Sequence, residues 1–150
     1  MKKIIKLRIQ IVSHMGMDYS KKNIIRTVEF VEGSCLRVVA EDILSIFEFN
    51  WDHAFGIYDN LENPTEGYSV FADLDGDGDP MGGKSIEKAK VGRVFREEGK
   101  EMFMLFDYGD EWVFKIVCEE LIPRTAGRER PGYPYTMFRQ GEAIEQYPEY

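Results

Sequence analysis

The chain has 150 residues, a length that fits one domain with a sizeable hydrophobic core. Hydrophobic residues make up 43% and charged residues 31%, which excludes a disordered chain, and no apolar run approaches the ~20 residues that span a bilayer. The net charge of −8 would repel nucleic acid on average, because nonspecific binding depends on neutralising phosphates. We therefore expect one domain over residues 1–150, with no membrane association and no nucleic-acid partner.

The N-terminal segment has the alternation of a half-buried strand. Ile5, Leu7, Ile9 and Ile11 alternate with polar residues, which also interrupt the apolar run that a signal peptide requires. Residues 24–32 form a second alternating run, so the two segments predict a hairpin. Without a signal peptide, we expect a cytoplasmic location.

Only two cysteines occur, Cys35 and Cys118. They lie far apart in the sequence and do not form a C-x-x-C pair, so neither a disulfide framework nor a cysteine-based zinc site is expected. The pattern favours two buried free thiols.

One helix is clearly predicted after the hairpin, with Ser34 as its N-cap. Apolar residues recur there at helical spacing. They are Leu36, Val39, Ala40, Ile43 and Phe47. A short strand over 54–58, a loop over 59–67 and a brief strand over 68–72 follow.

The second half of the chain predicts a short helix over 85–91, two strands over 102–108 and 112–118, and one more strand over 135–139. Residues 109–111 form a tight connection of hairpin type. Because residues 102–106 are apolar throughout, we expect that strand to be covered on both sides. The expected fold class is α+β, a roll whose mainly antiparallel sheet packs against one main helix and a short second helix.

The sharpest local motif is the acidic run of residues 73–79. Asp73, Asp75 and Asp77 occupy positions 1, 3 and 5 of an EF-hand loop, Gly78 occupies position 6 and Asp79 follows. Position 12 should be a bidentate glutamate, but it is Lys84. We prefer a solvated acidic loop and keep a calcium site at these four aspartates as the alternative.

A second candidate is the tip of the predicted C-terminal hairpin. Asp107 and Asp110 flank Gly109, and Trp112 follows. Two carboxylates could bind a metal or perform acid–base chemistry, but Asp and Gly are also the residues that tight turns require, and we favour the structural role. With His53, these residues form the candidate functional surface: His53, Asp107, Asp110 and Trp112.

One cluster of basic residues could contact DNA in spite of the acidic balance. Its members are Lys84, Lys88, Lys90, Arg93 and Arg96. A solvated charged surface is the preferred interpretation. No nucleotide-binding loop, nucleophile elbow or H-E-x-x-H motif occurs in the sequence.

Three segments together resemble the plasmid pRiA4b ORF-3-like family, whose members are often described as insertion-element passenger proteins, TnpR. They are residues 46–58 (IFEFNWDHAFGIY), residues 106–112 (FDYGDEW, similar to a Y-D-F-G-D-x-W signature) and residues 141–148 (GEAIEQYP). The resemblance implies an α+β roll and supplies no activity. Many members carry a histidine two residues after the signature tryptophan, whereas this chain has Phe114.

Our functional expectation is a non-catalytic domain that binds a protein partner or a small ligand through an aromatic-rich surface, since 13% of the residues are aromatic. The alternative is a metal-binding module, with calcium as the possible ion, or a metal-dependent enzyme. The second alternative is a DNA-associated accessory protein of mobile elements. We expect a binding domain rather than an enzyme.

Overall fold

The framework of the protein is a nine-stranded sheet. The structure is a computed structural model that describes residues 3–73, 81, 83–124, 127–142 and 144–147. The strands are β1 (Lys3–His14), β2 (Met17–Asp18), β3 (Ile25–Val31), β4 (Phe55–Tyr58), β5 (Gly67–Ser69), β6 (Lys84–Ser85), β7 (Glu101–Phe106), β8 (Trp112–Pro123) and β9 (Tyr135–Gln140). The helices are α1 (Leu36–Ile46) and α2 (Val91–Val94). The strand order is β6-β5-β4-β7-β8-β1-β3-β9, with β2 paired to β1.

Strand β1 lies in the interior of the sheet and pairs antiparallel with both β3 and β8. Leu7 faces Val28 on one side and Cys118 on the other. Because alternate side chains of a strand point to opposite faces, Ile5, Leu7, Ile9 and Ile11 reach the main core, and the polar residues between them lie on the other face. The predicted N-terminal hairpin is confirmed, with β2 and a 3-10 turn (Ser20–Lys22) in its connection.

Helix α1 packs its apolar side on the sheet, but its N-terminus differs from the prediction. The N-cap is Cys35, which makes no side-chain capping bond, and not Ser34. The backbone of the chain before α2 takes over this role: the Leu36 amide donates to the Ala89 carbonyl at 2.9 Å, and the Val91 amide donates to the Ser34 carbonyl at 2.9 Å. A helix end needs partners for its amides, and here another segment of backbone supplies one.

The prediction of a helix over 85–91 is wrong. Residue Ser85 lies in β6, which pairs parallel with β5, and the Ile86 amide continues the pairing with a bond to the Ser69 carbonyl at 3.2 Å. The helical turn begins only at Val91. Pairing with β5 therefore holds the start of this segment extended, a tertiary effect that local propensity does not contain.

Both faces of β7 are covered, as the apolar run over 102–106 predicts. Met102, Met104 and Phe106 belong to the main core. Leu105 packs in a second, smaller cluster with Tyr58 and Val113 on the other face of the sheet. The predicted fold class is thus confirmed: a mainly antiparallel sheet packs against one main helix and a short second helix.

Both cysteines are free thiols, Cys118 buried and Cys35 partly exposed. None of the helices in the described part of the chain has the length and apolar character needed to cross a membrane.

Candidate functional site

The turn between β7 and β8 is built by the carboxylate of Asp107. Its Oδ1 atom accepts the backbone N–H groups of Gly109 and Asp110, each at 3.2 Å, and its carbonyl accepts the Glu111 amide at 2.6 Å. Asp107 has a φ of 63°, in the left-handed region that short polar residues tolerate best among non-glycine types. The expected structural role of Asp107 is therefore present, but it uses only one carboxylate oxygen.

The other oxygen faces His53. The distance between His53 Nε2 and Asp107 Oδ2 is 3.5 Å, and the opposite ring nitrogen, Nδ1, lies 2.8 Å from Asp52 Oδ1. The imidazole is thus held between two carboxylates while its side chain remains 40% exposed. The hydrogen bond with Asp52, together with the charges of Asp107, Asp52 and Asp110, raises the pKa of His53 above its usual value.

The C-terminal segment completes this cluster. The Tyr147 hydroxyl donates to Asp52 Oδ2, and Gln146 Nε2 donates to Asp52 Oδ1 at 3.0 Å. Gln146 Oε1 accepts the Asn50 amide at 2.7 Å. The bond to Asp52 raises the pKa of Tyr147 to about 12 and lowers that of Asp52. Gln146 and Tyr147 thus bind the C-terminal segment to Asn50, Asp52 and His53 in the loop that follows α1.

Sequence reasoning missed Asp52, Gln146 and Tyr147 as site residues. Gln146 lies 94 positions from Asp52, and no local pattern in the sequence indicates a contact at that distance. The only available signal was the similarity of residues 46–58 and 141–148 to one family, which does not say that the two segments touch.

Trp112, one of the four residues of the candidate surface, is itself buried, which agrees with the structural role that we favour for the tip. Its ring is 1% exposed and stacks on His14, with 3.7 Å between ring centroids and 8° between ring planes. Phe49 packs against it edge to face at 4.8 Å. Trp112 therefore supports the tip from beneath, as a core residue.

His14 lies beneath the tip as well. It is 1% exposed, and its ring nitrogens have no hydrogen-bond partner among the described residues; the Asp110 Oδ2 atom is 4.0 Å from Nε2. Burial lowers the pKa of His14, against the opposing effect of the Asp110 and Asp107 charges. The structure thus brings His53, Asp107 and Asp110 together at the turn. His53 is exposed, Asp110 is partly exposed and Asp107 is buried, with His14 and Trp112 below them.

The metal hypothesis is tested only in part. Asp75, Asp77 and Asp79 lie outside the described residues, and Asp73 ends a 3-10 turn (Phe71–Asp73). A calcium site there stays a prediction. Over the residues that the structure does describe, no group of three His, Cys, Asp or Glu side chains is arranged to hold a metal ion.

The basic cluster lies around β6 and α2. All five of its side chains are exposed: Lys84, Lys88, Lys90, Arg93 and Arg96. Glu87, Glu97 and Glu98 are exposed beside them, which divides the positive charge.

The fold and the site define an α+β protein with an interior hairpin, β7–β8, whose tip carries a histidine–carboxylate cluster. The model of the plasmid pRiA4b ORF-3-like protein family matches residues 6–146, so the chain belongs to that family.

One solved structure is similar to this chain over most of the chain's length. It is the crystal structure of a protein of unknown function from Methanosarcina mazei Go1, with a TM-score of 0.67 and 21% identity, over 95% of this chain and 72% of that chain. At that identity the likeness establishes the fold alone. No curated protein matches the chain.

Proposed function

We propose that this protein is a non-catalytic binding domain, which recognises a basic segment of a partner protein through the surface around Asp52 and His53. The observation that carries the proposal is a pair of exposed aromatic rings. Trp51, in the loop after α1, is 57% exposed, and Tyr147, in the C-terminal segment bonded to that loop, is 51% exposed. Tryptophan and tyrosine dominate the binding energy of protein interfaces, because each offers a large apolar area with few rotatable bonds.

Hydrogen bonds hold the loop after α1, which carries Trp51, against the C-terminal segment, which carries Tyr147. Gln146 bonds to the backbone of Asn50 in both directions, through Oε1 to the amide at 2.7 Å and through Nε2 to the carbonyl at 3.4 Å. A surface that is fixed before binding loses less conformational entropy when a partner docks. This arrangement favours recognition of a partner.

The chemistry of the partner follows from the charges beside the rings. The imidazole of His53 lies between the carboxylates of Asp52 and Asp107, of which Asp52 is 40% exposed, and the Asp110 carboxylate adds to the negative charge at this turn. Arginine side chains suit such a surface, because a guanidinium stacks on an indole ring and pairs with carboxylates. A basic partner also agrees with the net charge of −8.

The contacts of His53 give it a structural part in the proposed surface. Asp52 and Asp107 hold the imidazole from both sides, and the hydrogen bond with Asp52 and the neighbouring carboxylate charges raise its pKa. Both ring nitrogens are already directed at carboxylate oxygens. His53 therefore acts in this proposal as a positioning group for Asp52 and Asp107.

The test is affinity capture from a native lysate with three forms of the protein: wild type, Trp51→Ser and Met17→Ser. Met17 is 46% exposed, so its replacement removes a comparable exposed apolar group elsewhere. We expect one protein to be captured by wild type and Met17→Ser and lost with Trp51→Ser, and its binding to weaken as salt rises. The partner is then purified and its Kd measured directly. Equal capture by all three forms, or no reproducible capture, would contradict the proposal.

A further inference from the structure

A cleft of about 410 Å³ lies over β1, β3 and β9. Its lining includes Arg8, Thr27 and Phe138. Arg8 alternates with the core residues Leu7 and Ile9, so the cleft opens on the face of the sheet turned away from the main core. Its volume is in the range of small-molecule sites, roughly 300–1,000 Å³. None of its lining residues belongs to the surface around Asp52 and His53.

The strand register lines up three different chemical groups in this cleft. Arg8 of β1 is directly opposite Thr27 of β3, and Thr27 is directly opposite Phe138 of β9. Opposed residues on one face are within about 5.5 Å at Cβ, so a cation, a hydroxyl and an aromatic ring form a row across three strands. Phe138 is 48% exposed, so its ring is open to a ligand.

The two cations of the cleft differ in their partners. Lys6 Nζ is 3.3 Å from Glu119 Oε2 and 4.0 Å from Glu120 Oε1, so its charge is compensated. Among the described residues, no carboxylate forms an ion pair with Arg8. In a protein with a net charge of −8, Arg8 is therefore a local positive group beside an apolar wall. Glu119 also borders the cleft, and its pairing with Lys6 limits its repulsion of an anion.

The apolar wall is formed by Phe138, Met137 and Ile25. Met137 is 36% exposed, whereas Ile25 is 3% exposed and forms part of the floor. An arginine fork pairs best with a planar or tetrahedral anionic group, and an exposed ring beside it adds contact area for a flat apolar body.

From this row we propose that the cleft is a binding site for a small organic anion with an aromatic or other flat apolar body. The anionic group pairs with Arg8 and accepts a hydrogen bond from the Thr27 hydroxyl, and the apolar body lies against Phe138 and Met137. The site is independent of the proposed protein-binding surface, and either can fail without the other.

The test uses a matched pair of probes, 8-anilinonaphthalene-1-sulfonate and the uncharged N-phenyl-1-naphthylamine, which shares its rings but has no sulfonate. Fluorescence titration gives the Kd of each probe for wild type, Arg8→Gln and Phe138→Ala. The control is Lys115→Gln, which removes a positive charge from the same face of the sheet outside the cleft. Thermal unfolding checks that each variant is folded.

We expect Arg8→Gln to weaken binding of the sulfonate probe about tenfold, the usual effect of losing one charge-assisted hydrogen bond, and to leave the uncharged probe within about twofold. Phe138→Ala should weaken both probes, and Lys115→Gln neither. Amide NMR shifts caused by the sulfonate probe should fall in residues 6–10, 25–29 and 135–140. Equal weakening by Arg8→Gln and Lys115→Gln, no binding of the sulfonate probe, or NMR shifts elsewhere would each overturn the proposal.

Discussion

The two histidines of the chain lie on opposite sides of the same turn, and their surroundings move their pKa values in opposite directions. His14, below the turn, is 1% exposed and stacked on Trp112, and burial lowers its pKa. His53, at the surface, is held between Asp52 and Asp107, and those partners raise its pKa. The charges of Asp107 and Asp110 act to raise the pKa of both histidines. Desolvation outweighs them at His14, whereas at His53 the hydrogen bond with Asp52 is the largest effect and the pKa rises.

The two histidines thus mark two layers of the turn, a buried one that supports it and an exposed one that carries polar groups. Trp112 and His14 form a buried layer beneath the turn, and His53, Asp52 and Tyr147 present polar groups above it. Changes to the lower layer should therefore affect stability, whereas changes to the upper layer should affect charge and binding with little effect on stability.

The largest effect is expected from Trp112→Ala. Removing a fully buried indole should lower the free energy of unfolding by about 3–5 kcal/mol. It also uncovers His14, whose pKa should return toward its usual value. Urea unfolding gives the first quantity and histidine NMR the second.

Trp51→Ala is the matched control, because Trp51 is 57% exposed and should change stability by no more than ~0.5 kcal/mol. A Trp112→Ala variant as stable as Trp51→Ala would show that the two layers do not differ as described.

The next effect is the pH dependence due to His14. A histidine whose folded pKa is lowered binds fewer protons than the unfolded chain, so wild type should lose stability as the pH falls below 6.5 toward the folded pKa. His14→Phe keeps a stacked ring without a titrating group. In thermal unfolding at pH 5 and pH 8, the variant should show a smaller decrease in Tm on acidification than wild type. An identical decrease would count against His14 as the source.

His53 should give the opposite pH dependence. Its raised pKa means that its contribution to stability is complete below 6.5 and is lost as the pH rises through the folded pKa. His53→Gln should therefore destabilise the protein more at pH 5.5 than at pH 8.5. The effect should be small because the side chain is 40% exposed and solvent screens its ion pairs. A larger loss at the alkaline pH would refute the assignment.

Asp52→Asn should change the free energy of unfolding by no more than about 1 kcal/mol, because Asp52 is 40% exposed. Its clearer effect is on pKa values: those of His53 and Tyr147 should both fall toward their usual ranges, because each loses its carboxylate partner. NMR titration of the histidine and alkaline absorbance titration of the tyrosines measure these shifts. Tyr147→Phe, which keeps Asp52, should leave the pKa of His53 raised.

Alternation predicted most of the sheet, since each half-buried strand shows it in the sequence. The end of β8 is an instructive exception: the predicted strand stops at Cys118, but β8 runs to Pro123. A register shift between Lys6 and Leu7 of β1 lies opposite Glu119, so an extra residue interrupts the alternation without ending the pairing. The N-cap of α1 and the start of α2 were mispredicted because both depend on contacts distant in sequence: residues 34–36 bond to residues 89–91, and β6 pairs with β5.

The candidate site was predicted as separate residues. Turn chemistry singled out Asp107 and Asp110, and rarity singled out His53. Their closeness follows from the pairing of β4 with β7, in which Phe55 faces Phe106, and a single sequence does not specify this pairing. Gln146 and Tyr147 come from a segment with no helix or strand pattern.

The position of β1 has a consequence for synthesis of the chain on the ribosome. Its first neighbour, β3, follows within about 20 residues, but its second, β8, is made more than 100 residues later, as the pairing of Leu7 with Cys118 requires. Until then, the nascent hairpin exposes an apolar edge strand in the middle of the future sheet. Contacts so distant in sequence also slow folding. Until residue 118 emerges, the edge of β1 that β8 later covers is therefore open to pairing with other chains.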